Sequence, residues 1–449
     1  MRRRAMTVSL RVVLVLLGLS VLALALTGLP VYARLSYLWA LLVAVSWVWS
    51  KVSLRGVTLE RKTRTLRAHV GQVYEQRLEV RNRGRLPRLW LLVRDRSDLP
   101  GSLGSRVLTL IGGRERRSYR VRSRLVQRGV FSLGPTDLVS GDLFGLFPVT
   151  RTIPSEASLL VYPMMAEIRA FPSPPGLLPG GEALQLRTHQ VTANASGVRE
   201  YVPGDPLHRI HWLSTARRDE LIVKEFELDP LAEVWIFLDA EARVQAEQPY
   251  SLPSQAVEAM WSPWKEVKLP PSTEEYAVSI AASLARHFLG RDRAVGMVSH
   301  HQPSQRTPTV LPPDRGGRQL GKILEVLAPL HAEGDLSISA LTGAHAQHIP
   351  RGSTVIIITP SVEDEMVIAA DLLSRRGLRP VVVLLEAASF GGLPGTGGLS
   401  SAIASLGVPV CQVRNGDDLA AALSLELNGS IRRGPVLSRA PAMRRTVRL

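Results

Sequence analysis

The run VWIFLD, Val234–Asp239, decides how the second half of this chain folds. Five apolar residues followed at once by a carboxylate describe a strand buried on both faces whose carboxyl end opens onto a polar edge. Working outward, further apolar runs occur at Ala294–Ser299, Thr354–Thr359, Pro380–Leu385 and Pro409–Val413. Between them lie segments of helical period, at Glu274–Leu289, Leu320–Leu330, Glu363–Arg375, Ser400–Leu406 and Asp417–Leu427. Strands alternating with helices predict an α/β domain over residues 231–430, built on a mostly parallel sheet. Gly290 and Gly377 stand where helix C-caps are expected.

This order resembles a von Willebrand factor A domain, with Asp239 as the acid ending its first strand. The metal site of such domains is Asp-x-Ser-x-Ser, because carboxylate and hydroxyl oxygens suit Mg²⁺. Here the run is Asp239-Ala240-Glu241-Ala242-Arg243, and Thr359 is followed by Pro360 and Ser361 rather than an acid. The expectation is a degenerate site at Asp239, with no metal and no cofactor. Gly316 and Gly321-Lys322 imitate a phosphate loop, but Ile323 stands where the Mg²⁺-binding hydroxyl belongs, so a helix start is expected there. The pairs His208/His211 and His300/His301 lack a Glu at metalloprotease spacing. Trp261 and Trp264, in the loop from Glu241 to Pro271, either anchor a partner or pack the loop down, the second being commoner.

Just upstream, Gly197–Glu227 reads GVREYVPGDPLHRIHWLSTARRDELIVKEFE, the densest cluster of ionisable groups in the chain. Arg199, Glu200, Asp205, Arg209, His211, Arg217, Lys224 and Glu225 alternate there with Tyr201 and Trp212, so charges lie against aromatic surface and are paired or functional. The pattern Arg199-Glu200-Tyr201, Pro203-Gly204-Asp205, Arg209-Ile210-His211-Trp212, Thr215-Ala216-Arg217 resembles the signature of the bacterial "domain of unknown function 58" family. Gln127–Phe131, Leu133–Pro135 and Gly141–Phe147 resemble the segment that precedes the signature in longer members. Two readings of these ten residues compete. In one, Pro203-Gly204-Asp205 is a turn, acids hold arginines and Trp212 covers a sheet edge. In the other they form a recognition surface for a protein or an anionic ligand. A catalytic centre on Asp205 and His211 is a third possibility.

Residues 57–163 alternate in short runs bounded by turn residues, which predicts a small antiparallel β-sandwich over 52–165. Its expected strands include Tyr74–Arg81, Leu89–Val93, Tyr119–Leu125 and Leu159–Tyr162, with Asn82-Arg83-Gly84 and Ile111-Gly112-Gly113 as hairpin connections. Arg120, Arg122 and Arg124 share one face of a strand, either solvated or turned towards lipid. A Pro/Gly-rich stretch, Phe171–Gly181, opens a linker and signature region over 166–230.

The first 51 residues predict a transmembrane helical hairpin, with a cleaved signal peptide as the competing reading that the second apolar run argues against. Thr7–Leu29 is apolar apart from Arg11, and Leu35–Trp49 is a second apolar run with aromatic residues near its ends. Gly28-Leu29-Pro30 forms the expected turn. Arg2, Arg3 and Arg4 before the first run and Lys51 and Arg55 after the second place both outer ends in the cytoplasm, while Arg34 argues the other way. The chain has 449 residues and a formal charge of +16, concentrated in its first third, with a basic tail at 431–449. Membrane lipid is the expected partner of that charge, at about 1 kcal/mol per juxtamembrane base. No helix-turn-helix, zinc finger or aromatic-basic pattern accompanies it, so nucleic acid is not expected. A single cysteine, Cys411, rules out an internal disulfide framework. Resemblance to the family implies a plasma-membrane adaptor or scaffold acting beside a MoxR-type AAA+ ATPase, rather than an enzyme. A hydrolase and an anionic-ligand sensor are the alternatives.

Overall fold

The computed structural model describes residues 7–100, 105–171, 195–202, 210–226, 233–250, 268–302 and 307–424. Arg2–Arg4, most of the linker, Asp205, His208, Arg209, Trp261, Trp264 and the basic tail lie outside these residues.

Helix α1 is Val8–Thr27 and helix α2 is Pro30–Ser53. Both are long and apolar enough to cross a membrane. Thr7 caps α1 by accepting the Leu10 N–H, and Gly28 ends it in the left-handed conformation that a residue with a Cβ resists. Pro30 belongs to α2 rather than to the turn, because its fixed φ suits the first helical position. Ser20 and Ser36 hydrogen-bond across the two helices at 3.1 Å. α2 runs almost directly into the first strand, and Arg88 pins its end. The buried Arg88 guanidinium donates to the Val52 carbonyl in the last turn and to the Arg55 carbonyl just beyond it, both at 2.6 Å.

Ten strands follow, in chain order β1 Val57–Thr63, β2 Arg67–His69, β3 Val73–Asn82, β4 Arg88–Asp95, β5 Ser105–Ile111, β6 Arg116–Arg124, β7 Gly129–Ser132, β8 Thr136–Ser140, β9 Val149–Ile153 and β10 Ser158–Tyr162. An antiparallel sheet β1-β3-β6 and an antiparallel sheet β5-β4-β8-β9 share one core, in which Val57 and Val80 meet Leu91, Val93 and Leu138. A third sheet, β2-β10-β7, pairs β2 with β10 in parallel.

Two turn expectations need correction. Asn82-Arg83-Gly84 and Ile111-Gly112-Gly113 are not hairpins, since β3 does not pair with β4 nor β5 with β6; each segment crosses from one sheet to the other. Asn82 staples the two crossings, donating to the Leu86 and Gly112 carbonyls and accepting the Gly84 N–H. On the arginine face of β6, Arg122 and Arg120 are exposed and reach Glu75 across the strand pair, at 2.9 and 3.4 Å. Arg124 is only partly exposed.

Strands β11 (Ala195–Glu200) and β12 (Ile222–Phe226) and helix α3 (Trp212–Arg218) carry the signature. The α/β half then adds β13 Val234–Leu238, α4 Thr273–Leu289, β14 Val295–Ser299, β15 Thr309–Asp314, α5 Gly317–Leu327, α6 Ile338–Ala346, β16 Thr354–Thr359, α7 Glu365–Arg375, β17 Arg379–Leu385, α8 Thr396–Ser405, β18 Val410–Val413 and α9 Leu419–Leu423. The sheet order is β15-β14-β13-β16-β17-β18, parallel except for the edge strand β15. Alternate residues face opposite layers. Ile236 joins the core under α4, α5 and α9, while its neighbour Phe237 joins the core under α6, α7 and α8. Strand order reverses direction beside β13, so the carboxyl ends of β13 and β16 flank a topological switch point.

The two halves share a core. Tyr162, Ile168 and Phe171 pack with α4, Ala166 accepts from Arg286 and Ile168 from His287. Arg128 locks this junction. Its side chain, only 2% exposed, pairs with Glu274 at 2.6 Å and Glu275 at 2.5 Å and donates to the Leu327 and Leu330 carbonyls.

Candidate functional site

The signature is built on a small antiparallel ribbon. β11 and β12 pair with Arg199 opposite Val223 and Glu200 opposite Ile222, with an irregularity between Ala195 and Gly197. Ile210 bridges to Val223, the His211 N–H bonds the Ile222 carbonyl at 2.7 Å, and the Tyr201 N–H bonds that of Leu221 at 2.8 Å. The chain between strands is thereby folded back onto β12. Thr215 accepts the Ile222 N–H through its hydroxyl at 3.1 Å, so α3 is fastened to both backbone groups of that one strand residue. Asp219 ends the helix in the left-handed region, with its N–H on the Thr215 carbonyl. Arg217 and Arg218 in the last turn complement the partial negative charge of that terminus.

The apolar side chains of this unit divide sharply. Ile210, Ile222 and Val223 are buried. Trp212 is 67% exposed and Leu213 61%, with Val202 and Leu221 also exposed nearby. Two thirds of the Trp212 surface is open, so it is not the packed cover of a sheet edge. His211 precedes the helix and its Nδ1 lies 2.6 Å from the Ser214 hydroxyl oxygen. Of the expected site residues, Glu200, Tyr201, His211, Trp212 and Arg217 sit together on this unit. Arg199, Lys224 and Glu225 take strand positions on it, with side chains outside the described residues. Asp205 and Arg209 are outside them altogether. Leu213 is an addition that no charge pattern singles out, whereas Ser214 and Thr215 already stand near His211 in the sequence.

A second polar cluster occupies the switch point. Asp239 follows β13 and stays paired with β16 through its N–H on the Ile358 carbonyl. One carboxylate oxygen accepts the Thr359 hydroxyl at 2.6 Å, the other the Glu241 N–H at 3.1 Å. Burial pushes the Asp239 carboxyl up to about 7; the two hydrogen bonds oppose the shift, and the charges of Glu241 and Glu363 add to it. Glu241, also buried, is paired with Arg243. Both Asp239 oxygens are thus committed to protein donors, and among the described residues no group of three His, Cys, Asp or Glu side chains is placed to hold a metal ion. Cys411 is buried in β18, and burial drives its thiol up to about 12, the behaviour of a packing residue.

Residues 197–251 match the model of a family described as "Protein of unknown function DUF58". The matched segment spans the ribbon, α3, β13 and the Asp239 turn, which supports the resemblance carried by the signature. No curated protein matches the chain. Among solved structures, the CARDB domain of a Pyrococcus furiosus protein shares 16% identity at a TM-score of 0.17, covering 23% of this chain and 91% of that one. Proximal thread matrix protein 1 from the mussel byssus shares 10% identity at a TM-score of 0.29, covering 43% of this chain and 46% of that one. Scores this low carry no argument about function.

Proposed function

We propose that this protein is a membrane-anchored adaptor or scaffold whose signature unit docks a protein partner, a MoxR-type AAA+ ATPase being the partner that the family resemblance suggests. One observation carries the reading. A helix of two turns, fastened to Ile222 by a backbone and a hydroxyl bond, holds Trp212 and Leu213 in solvent and carries Arg217 in its last turn. A rigid aromatic and an arginine at an exposed, pre-ordered position are what a protein interface uses as anchors. The two apolar helices supply the membrane anchor, and the bases at their outer ends favour a cytoplasmic body. The sheet order, its antiparallel edge and the acid after β13 support a von Willebrand A-like domain whose metal site has been replaced by the Thr359–Asp239 bond.

The test is affinity capture from native membranes with the intact chain and with a Trp212→Ala, Leu213→Ala, Arg217→Ala variant. Recovery of an AAA+ ATPase with the first and its loss with the second is the expected result. Equal recovery with both removes the signature from the interface, and no ATPase with either removes the adaptor reading.

The 2.6 Å contact of His211 with Ser214 favours a hydrolase as the second reading, because it is the spacing of a nucleophile and its base. Covalent labelling of Ser214 by a serine-reactive fluorophosphonate, abolished in His211→Ala, would establish that chemistry; an unlabelled Ser214 would leave the contact as a local side-chain bond in the first turn of α3.

A further inference from the structure

The loop Gly141–Phe147, between β8 and β9, is built with unusual rigidity and yet shows its largest apolar side chains to the outside. Buried Asp142 accepts three backbone N–H groups of its own loop, those of Phe144, Leu146 and Phe147, at 3.0, 3.1 and 2.7 Å. Trp90 donates its indole N–H to the Asp142 carbonyl, and Gly141 lies so close to the Phe147 carbonyl that a Cβ there would clash. The cage fixes the loop's shape. Leu143 nevertheless remains 70% exposed and Phe144 58%. Two adjacent large apolar side chains projecting from a backbone held in one shape make a patch that suits an apolar surrounding.

The position of the loop names that surrounding. The Thr7 hydroxyl, at the cap of α1, donates to the Leu146 carbonyl at 2.9 Å. Phe144 and Leu146 then form one wall of an open groove of about 470 Å³, whose other walls are Val8 and Val12 of α1 and Trp39 and Leu42 of α2. The groove is continuous with the faces of the two helices that are apolar enough to span a bilayer. Depth markers agree. Lys51 sits over the Trp47 ring at 5.5 Å near the end of α2, and Arg11 stands in the first turn of α1, the pairing of aromatic and base that suits a headgroup zone.

We propose that Leu143 and Phe144 dip into the leaflet next to the body, and that the groove between the loop and the helices is filled by a lipid acyl chain of that leaflet. The proposal rests on the membrane-anchored reading. It adds a second, monotopic contact that holds the β-half against the bilayer surface in addition to the two spans.

The test uses the full chain with an environment-sensitive fluorophore on Leu143→Cys, on Leu41→Cys in mid-α2, or on Ile368→Cys in the distant α7. Each variant is reconstituted in vesicles of phosphatidylcholine and phosphatidylglycerol; the buried Cys411 does not compete for the label. The expected result is a blue-shifted label at position 143, quenched by lipids spin-labelled near the headgroup. Position 41 should be quenched by lipids labelled deeper in the chain and position 368 by aqueous iodide alone. If position 143 behaves like 368 while 41 remains in lipid, the inference falls and the anchoring stands. Shielding of 143 from both quenchers, with 41 still in lipid, overturns the inference in favour of a second copy covering the groove. If 41 itself escapes lipid quenching, the anchored reading fails and takes the inference with it.

Discussion

The signature unit and the Arg128 junction are opposites in how charge is placed. The signature concentrates ionisable groups in thirty-odd residues, and those whose side chains are described lie at or near the surface, around an exposed Trp212 and Leu213. At the junction one arginine, flanked by Gln127 and Gly129, is wholly buried and holds two carboxylates and two carbonyls from the other half of the chain. Density of charge along a sequence therefore does not locate the charges whose removal is costly. Burial does, because a buried ion deprived of its partner keeps its full desolvation penalty.

The contrast breaks if Arg128→Met is mild. Its removal leaves Glu274 and Glu275 facing each other in a buried site, where burial already raises the Glu275 carboxyl. A loss of about 3–5 kcal/mol is expected, read by denaturant unfolding of the detergent-solubilised chain. Adding Glu274→Gln and Glu275→Gln should recover much of it, since the unpaired charges go too.

Asp239 sharpens the comparison within the α/β half. With the carboxyl raised from 3.8 to about 7, the folded state keeps a proton that the unfolded state has already lost. Stability is therefore highest below pH about 4, declines as pH rises towards 7 and levels off above, by roughly 4 kcal/mol in all. Asp239→Asn should flatten that slope in a series of unfolding curves across this window. A slope that survives the substitution places the titration elsewhere.

Smaller effects are expected on the exposed side. Trp212→Ala with Leu213→Ala should change unfolding free energy by no more than about 0.5 kcal/mol, as surface positions do, while abolishing partner capture. A large stability loss would make the pair structural. Least of all, Arg122→Ala should leave the unfolding midpoint almost where it is, with any small shift lost in high salt, because its bridge to Glu75 is solvent-exposed.

Much of the α/β half is legible in the sequence because its strands are buried on both faces and appear as uninterrupted apolar runs; Val234–Leu238 and Thr354–Thr359 match their expected bounds. Two elements hide. β15 contains Pro312 and Pro313, which suggest a break, yet an edge strand has a side where no N–H is required. α6 is short and rich in small residues, with Gly343 inside it, so its periodicity is faint, although Ser337 caps it by accepting the Ala340 N–H. In the β-half, Asn82-Arg83-Gly84 has hairpin composition, but turn chemistry does not say whether the next strand joins the same sheet. At the site, the grouping of His211, Trp212 and Arg217 follows from their proximity in sequence. The exposure of Trp212 does not, since an indole is as easily packed as displayed.

Arg88 has a mechanical consequence. Two hydrogen bonds from a buried guanidinium clamp the last turn of α2 to β4, and only Leu54 to Gly56 separate that helix from β1. The body is therefore joined to the two apolar helices by bonds and not by a slack tether. A load applied to the α/β half passes through Arg128 into the β sheets and through Arg88 into α2, a series of stiff joints in which a turn of the body becomes a tilt of the helices.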